Sequence, residues 1–189
     1  MTERHVCPVW QGYLLASPLR RLVDNPARNL APYVGRGMKV LDIGCAMGFY
    51  TLPMAGMVGE GGRVVCVDLQ EKMVRNLVGR ARKKGLHGMI EARVCTGTDL
   101  NLSDMKDAFE FALAASVVHE VPDQEGFFRQ VMEVLRPEGR LLVIEPARHV
   151  PEDAFGLTVE NASGKGFDLL KRHNRWLRRL ALFQKPRGR

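Results

Sequence analysis

The sequence lacks the marks of membrane-spanning, secreted and disulfide-bonded proteins. Its longest nearly apolar stretch, residues 111–118, is far shorter than the ~20 residues that a membrane-spanning helix requires. The first residues carry no apolar core, so we predict no secretory signal and no membrane span. The four cysteines follow no paired spacing, and a chain of 189 residues needs no disulfide to fold. We therefore expect reduced cysteines and a cytoplasmic protein.

Aromatic residues are few, at 7%, but hydrophobic residues reach 46% and charged residues 26%, which is typical of a globular protein. The length predicts a single domain over residues 1–189. We divide it into an N-terminal helical or covering segment (1–37), a core (38–146) and a C-terminal segment with a helix and a hairpin (147–189).

Acidic residues are absent from residues 171–189, which contain eight basic residues, whereas the remaining chain has 20 basic and 21 acidic residues. A basic patch attracts nucleic acid or an anionic surface. It is also typical of a solvated edge strand, where charge discourages aggregation. We favour the edge strand, because no nucleic-acid-binding motif accompanies the charge.

Short β-rich runs alternate with helical periodicity along the chain. Strands are predicted at 39–43, 63–68, 90–94, 109–114 and 141–144, and helices near 18–34, 48–58, 70–84 and 152–163 and after a cap at Asp123. Residues 136–139 are predicted to form a turn. The runs 167–173 and 180–184 are predicted to pair as an antiparallel edge hairpin. This order predicts an α/β fold with a doubly wound, mostly parallel, Rossmann-like sheet.

The turn after the first strand has small residues at Gly44, Ala46 and Gly48, which let a ligand approach the backbone. The following helix directs its N-terminal amides to the same place, outside the carboxyl ends of the strands. Asp68 ends the second strand, where a carboxylate can accept both hydroxyls of a ribose.

The residues of this turn distinguish two cofactor classes. Gly44, Ala46 and Gly48 do not match the Gly-x-Gly-x-x-Gly spacing of dinucleotide enzymes. Asp42 would repel a pyrophosphate but favours a cation such as the sulfonium and ammonium of S-adenosylmethionine. The sequence therefore favours S-adenosylmethionine over NAD, and a nicotinamide oxidoreductase is the less favoured alternative.

Five segments together resemble the motifs of class I S-adenosylmethionine-dependent methyltransferases, of the small-molecule group that includes the ubiquinone/menaquinone methyltransferases. They are Val40–Phe49, Val64–Asp68, Phe109–Ala114, Val118–Asp123 and Leu135–Leu141. Ala46 replaces the middle glycine of the family's first motif, and Glu138 replaces the first glycine of its Leu-Lys-Pro-Gly-Gly-x-Leu segment.

The resemblance implies a set of cofactor-binding positions with distinct roles. Asp68 would bind the ribose, Leu69 would cover the adenine and Ala114 would offer its carbonyl to the methionine end. Thr96 stands where the family often has an acid near the adenine, and Asp99 is a rival for that role. The full set is Asp42, Gly44, Cys45, Ala46, Gly48, Asp68, Leu69, Thr96, Gly97 and Ala114.

Methyl transfer needs alignment of a nucleophile and, for a protonated nucleophile, a base. The weak catalytic candidates are His119 and Glu120, which follow the fourth strand, with Glu145 weaker still. His119 also fits a structural role at the entry to the next helix, and many family members act by proximity alone. His5 and Cys7 are too few ligands for a metal site, so we predict none.

The acceptor is predicted to be a small molecule, because only the N-terminal segment, with Trp10 and Tyr13, is available to cover it. Residues 114–117 lack the Asn/Asp-Pro-Pro-aromatic motif of many RNA methyltransferases. Two alternatives remain open. One is a non-catalytic S-adenosylmethionine-binding regulatory module, and the other is a methyltransferase that reaches RNA or protein through its basic C-terminus.

Overall fold

The structure is a computed structural model that describes residues 24–174 and 176–188. Of the helix predicted near 18–34, it describes α1 (Pro26–Leu30), which begins after a cap in which the Asn25 side chain accepts from the Arg28 amide. The rest of that predicted helix up to residue 23, together with Trp10 and Tyr13, lies outside the described residues.

Within the described ranges, the strands form one seven-stranded sheet in the order β3-β2-β1-β4-β5-β7-β6. The pairs β1–β2, β2–β3 and β4–β5 are parallel, whereas β7 runs antiparallel to both β5 and β6. The strands are β1 (Lys39–Ile43), β2 (Arg63–Asp68), β3 (Ile90–Val94), β4 (Phe109–Ala115), β5 (Leu135–Pro146), β6 (Asp168–Asn174) and β7 (Arg178–Gln184). This confirms the predicted fold class. The chain forms two compact units that meet in sequence between Cys95 and Thr96.

The first unit alternates buried strands with helices α2 (Thr51–Val58) and α3 (Glu71–Lys83). β1 and β2 are buried at every position after the first, as expected for parallel strands covered on both faces. Helix α3 buries Met73, Leu77 and Ala81 on the predicted face. A short 3₁₀ turn, His87–Met89, leads into β3.

The second unit contains β4–β7 with helices α4 (Gln124–Val134) and α5 (Glu152–Gly164) and a 3₁₀ turn at Val118–Glu120. The prediction that residues 136–139 form a separate turn is wrong, because they lie within β5. The register with β4 shifts between Phe109 and Phe111, so these residues form an irregularity inside a continuous strand. Glu138 has a φ of 63° there, and its amide donates to the Lys185 carbonyl.

The predicted C-terminal hairpin is confirmed, with β6 at the sheet edge and exposed along its whole length. Phe183 of β7 is buried against the rings of Phe128 and Phe167, at centroid distances of 6.4 and 6.0 Å. Trp176, between the two strands, is almost fully exposed. No helix in the described part of the chain is long and apolar enough to cross a membrane.

Several basic side chains of the C-terminal segment have partners within the protein. Lys185 lies 2.6 Å from Asp107, Arg187 lies 2.8 Å from Glu138, and Arg179 donates to the Val150 carbonyl. None of these three side chains lies in the edge strand β6. Arg175 and Arg189 lie outside the described residues.

Candidate functional site

In the turn between β1 and α2, the backbone is in the left-handed region at each of the three small residues. The φ angles are 72° at Gly44, 45° at Ala46 and 84° at Gly48. A Cβ at residue 48 would also lie 3.1 Å from the Leu77 side chain, so glycine serves both conformation and packing there. Ala46 adopts a conformation that L-residues with a side chain rarely take.

Asp68 fixes this turn from the end of β2. Its Oδ2 accepts from the amide of Ala46 at 2.8 Å, and its Oδ1 accepts from the amide of Gln70 at 2.9 Å. Each carboxylate oxygen has a second lone pair, which can accept from another hydroxyl. Burial raises the pKa of Asp68, and the two amides oppose that shift.

Asp42, next to the last residue of β1, is buried, and its Oδ2 accepts from the Thr51 hydroxyl at 2.5 Å. Thr51 begins α2, so this bond ties the helix start to the strand. Burial, with the nearby Asp68 carboxylate as a smaller cause, raises the pKa of Asp42 from 3.8 to about 7. The two carboxylates form an acidic pair that a cation would stabilise.

Two further contacts support the turn, and the sequence analysis did not find them. Arg80 of α3 donates to the Met47 carbonyl at 2.5 Å, across 33 residues of sequence. Asp24 is buried and accepts from the Tyr50 hydroxyl at 2.7 Å and from the Asn29 side chain at 2.6 Å. No local sequence pattern signals the Arg80–Met47 and Asp24–Tyr50 contacts, because they join residues 33 and 26 positions apart.

Cys45 is buried beside Cys66 and Leu77. Its hydrogen bond with Cys66 and its burial raise the pKa of the Cys45 thiol well above the ordinary value, which keeps it protonated. Its side chain therefore packs the turn, and a cofactor contact of its backbone stays a prediction. Leu69 is 44% exposed directly after Asp68, as a side chain that covers a ligand must be.

The other predicted cofactor positions lie in the second unit. Thr96 and Asp99 close a small turn, in which the Thr96 amide donates to the Asp99 carbonyl at 2.8 Å and the Thr96 hydroxyl accepts from the Asp99 amide at 3.0 Å. Gly97 lies within that turn. The Thr96 amide is thus used inside the turn. Ala114 is fully buried near the end of β4.

The structure brings together two residues that the sequence analysis treated separately. The Nδ1 atom of His119 lies 2.7 Å from Oε2 of Glu145, at the carboxyl ends of β4 and β5. Glu145 is buried, and its Oε1 accepts from the amides of Val118 and His119. Glu145 is the main cause that raises the pKa of His119, against burial, which lowers it. Glu120 lies farther away, with its Oε1 3.9 Å from Nε2 of His119.

Among residues 24–174 and 176–188, no group of three or more histidine, cysteine or acidic side chains is placed to hold a metal ion. His5 and Cys7, which the sequence analysis weighed as metal ligands, lie outside the described residues.

A family model described as a methyltransferase domain matches residues 35–177. The chain belongs to this methyltransferase family. The predicted family resemblance is therefore confirmed, and the matched range includes every residue of the turn, the Asp42–Asp68 pair and the His119–Glu145 pair.

Curated methyltransferases match the chain over part of their length. The ubiquinone/menaquinone biosynthesis C-methyltransferase UbiE of Cronobacter sakazakii is 33% identical over 119 residues, which are 63% of this chain and 47% of that protein. Nocamycin O-methyltransferase of Saccharothrix syringae is 33% identical over 110 residues, which are 58% of this chain and 38% of that protein. The chain thus spans about half or less of the length of these relatives.

Solved structures share the fold over nearly the whole chain. A SAM-dependent methyltransferase from Aquifex aeolicus has a TM-score of 0.84 at 22% identity and covers 95% of this chain and 100% of its own. A TehB-like SAM-dependent methyltransferase from Corynebacterium glutamicum has a TM-score of 0.73 at 20% identity, with coverages of 94% and 100%. These similarities identify the methyltransferase fold.

Proposed function

We propose that the protein is an S-adenosylmethionine-dependent methyltransferase that transfers the methyl group to a small-molecule acceptor. The observation that carries this proposal is the buried acidic pair beside the left-handed turn. Burial, with the neighbouring Asp68 carboxylate as a smaller cause, raises the pKa of Asp42 to about 7. S-adenosylmethionine supplies positive charge, and when bound it supplies a methyl group already activated by the sulfonium.

In this proposal, different residues of the first unit bind different parts of the cofactor. Asp68 accepts the ribose hydroxyls on its remaining lone pairs while its backbone partners hold it in place. Asp42 offsets the positive charge of the methionine end. The left-handed turn at residues 44–48 brings the backbone close to the ligand, and Leu69 covers the adenine.

The family resemblance implies further cofactor-binding positions at Thr96, Gly97 and Ala114. The closed turn of Thr96 and Asp99 leaves Gly97 as the better backbone candidate near the adenine, because the Thr96 amide already has a partner. The chain's main tasks are then to orient the acceptor and to exclude water. Orientation alone is worth about 7–11 kcal/mol of barrier in favourable cases.

The names of the relatives favour a small acceptor, since one is a ubiquinone/menaquinone biosynthesis enzyme and another acts in nocamycin methylation. The basic C-terminal segment does not favour RNA strongly, because Lys185, Arg187 and Arg179 are engaged within the protein. The cytoplasmic location and the single domain stay predictions.

The acceptor class is tested with S-adenosylmethionine that carries a labelled methyl group and with a cell extract separated by dialysis. We expect label to enter compounds of the dialysable fraction. Asp68→Asn should lower this transfer about ten- to a hundredfold at subsaturating S-adenosylmethionine. Asp153→Asn, at an exposed acid in the first turn of α5, should leave it unchanged.

Two outcomes would contradict the proposal. Label on the retained RNA or protein alone would support the macromolecular alternative. Tight cofactor binding with no labelled product in either fraction would support the non-catalytic module.

A further inference from the structure

We propose that His119 is the general base of this methyltransferase and that Glu145 positions it, so that the acceptor is a phenol or enol whose hydroxyl oxygen is methylated. This inference rests on the proposed function and adds to it a catalytic residue and an acceptor class. It is carried by the hydrogen-bond geometry of the second unit.

The two oxygens of Glu145 have different tasks. Oε1 accepts from the amides of Val118 and His119, at 2.8 and 3.2 Å, and so holds the 3₁₀ turn after β4. Oε2 contacts the imidazole at 2.7 Å. The Glu145 side chain is only 1% exposed, so inside the protein its Oε2 atom has the His119 ring as its contact.

This contact sets the tautomer of His119. An ionised carboxylate only accepts hydrogen bonds, so the ring proton lies on Nδ1 and points to Glu145. Nε2 then carries a lone pair and is the basic atom. With Nδ1 turned to Glu145, Nε2 is the ring nitrogen left for a ligand, and the His119 side chain is 25% exposed. A buried carboxylate that orients a histidine base is an arrangement suited to proton abstraction.

The place of the pair fits this task. His119 follows β4, and Glu145 lies near the end of the neighbouring parallel strand β5. Ligands of doubly wound sheets bind outside the carboxyl ends of the strands. Two other titratable groups face the ring. Glu120 has its Oε1 3.9 Å from Nε2, and the His149 ring centroid is 6.5 Å from that of His119.

The proton balance of the step is simple. The acceptor oxygen forms the new bond to the methyl carbon, the carbon–sulfur bond breaks, and its electron pair stays on sulfur. The hydroxyl proton passes to Nε2 of His119. The resulting imidazolium, stabilised by Glu145 and Glu120, returns the proton to water after the product leaves.

The pH dependence follows from this assignment. Nε2 acts as a base only while the ring is neutral. Glu145, and more weakly Glu120, hold the pKa of His119 above its ordinary value of 6.5. We therefore expect the rate to rise with pH and to level off above the titration of His119.

The test measures S-adenosylhomocysteine release with phenol, catechol and para-nitrophenol, and with benzylamine as a non-hydroxyl acceptor. The variants are His119→Asn and Glu145→Gln, with His87→Asn, an exposed histidine before β3, as the matched control. We expect turnover of at least one phenol. His119→Asn should lower kcat about a hundredfold or more, and His87→Asn should leave it unchanged.

Glu145→Gln separates positioning from a purely structural role. The Gln oxygen would accept from the two backbone amides, so its NH₂ group would face Nδ1 and force the ring proton onto Nε2. We expect a loss of kcat similar to that of His119→Asn, with an unchanged fold by circular dichroism. Nitrogen-15 NMR of the histidine side chains should show His119 change from the Nδ1–H to the Nε2–H tautomer and titrate at a lower pH.

Calorimetry with S-adenosylhomocysteine on the wild type and each variant distinguishes failure of the proposed function from failure of the His119 assignment. Absence of binding to the wild type would overturn the proposed function, and this inference with it. If the wild type binds S-adenosylhomocysteine normally, three results would each overturn this inference alone. They are no methylation of any phenol, undiminished activity of His119→Asn, and an unchanged His119 tautomer in Glu145→Gln.

Discussion

Asp42 is the residue whose ionisation folding changes most clearly. In the unfolded chain its carboxyl titrates near 3.8, and in the folded protein burial raises its pKa to about 7. Between these values the folded state binds more protons than the unfolded state. The free energy of unfolding contributed by Asp42 is therefore fully present below about pH 4 and is lost as the pH rises towards 7.

This shift predicts a specific pH profile of stability. From pH 4 to pH 7, the free energy of unfolding should fall by up to about 1.4 kcal/mol per pH unit through Asp42. Urea unfolding at several pH values measures this slope. Asp42→Asn should reduce the slope and leave the weaker trend that Asp68, whose pKa is also raised, contributes in the same direction. An equal slope in both proteins would contradict this assignment.

Ala46 carries backbone strain at the centre of the cofactor turn. Its φ of 45° costs about 1–2 kcal/mol for a residue with a Cβ, whereas glycine loses only some chain entropy. We predict that Ala46→Gly raises the free energy of unfolding by up to about 1 kcal/mol. The control is Ala154→Gly, at an exposed right-handed position of α5, which should lower it by a similar amount. Destabilisation by Ala46→Gly in urea unfolding would show that the alanine methyl group is needed.

At the scale of elements, α4 depends on its N-terminal cap. Asp123 accepts from the Gly126 amide at 2.9 Å, as the sequence predicted. Asp123→Ala should lower the melting temperature, with a loss of about 1 kcal/mol of stability. The exposed substitution Arg129→Ala on the same helix should change stability by less than about 0.5 kcal/mol. Equal effects of the two substitutions would show that the cap bond contributes nothing.

The cap also explains why residue 126 is glycine. A Cβ at this position would lie 2.2 Å from Oδ2 of Asp123. The glycine therefore leaves room for the capping carboxylate. Its φ is not positive, so backbone conformation is not the reason for a glycine here.

How far the elements could be predicted depends on whether local signals define their ends. β1, β2 and β3 have the predicted bounds, because each is an apolar run flanked by turn residues. Helix α2 begins at Thr51, three residues after the predicted start, because the left-handed Gly48 and the Asp42–Thr51 bond place its beginning. β5 is longer than predicted, because pairing with β4 and β7 extends a strand through residues with turn preferences.

At the scale of the whole molecule, the predictable part of the site is the part that a contiguous motif encodes. Asp42, the small-residue turn and Asp68 fall within 27 residues and follow a known strand–turn–helix–strand order. The His119–Glu145 contact joins a residue of the turn after β4 to a residue of β5, 26 positions later, and the Asp24–Tyr50 contact also spans 26 positions. Such pairs depend on register and on side-chain direction, which the apolar pattern does not specify.

The charge asymmetry of the molecule has a structural explanation in its exposed edge. β6 is exposed along its length and carries Lys171 and Arg172, and Arg172 lies 4.0 Å from Glu152 of α5. Charge on an open strand edge opposes pairing with a second chain. Lys171 and Arg172 therefore protect this edge, and they are two of the eight basic residues of residues 171–189.

The most direct test of the central claim is calorimetric titration with S-adenosylhomocysteine, with NAD titrated in parallel. We expect the protein to bind S-adenosylhomocysteine and not to bind NAD. Asp68→Asn should weaken that binding about ten- to a hundredfold, the effect of losing charge-assisted hydrogen bonds, while Asp153→Asn keeps it. Circular dichroism confirms that each variant is folded. A folded wild-type protein that binds NAD more tightly, or binds neither compound, would contradict the assignment of the acidic pair and its turn to S-adenosylmethionine.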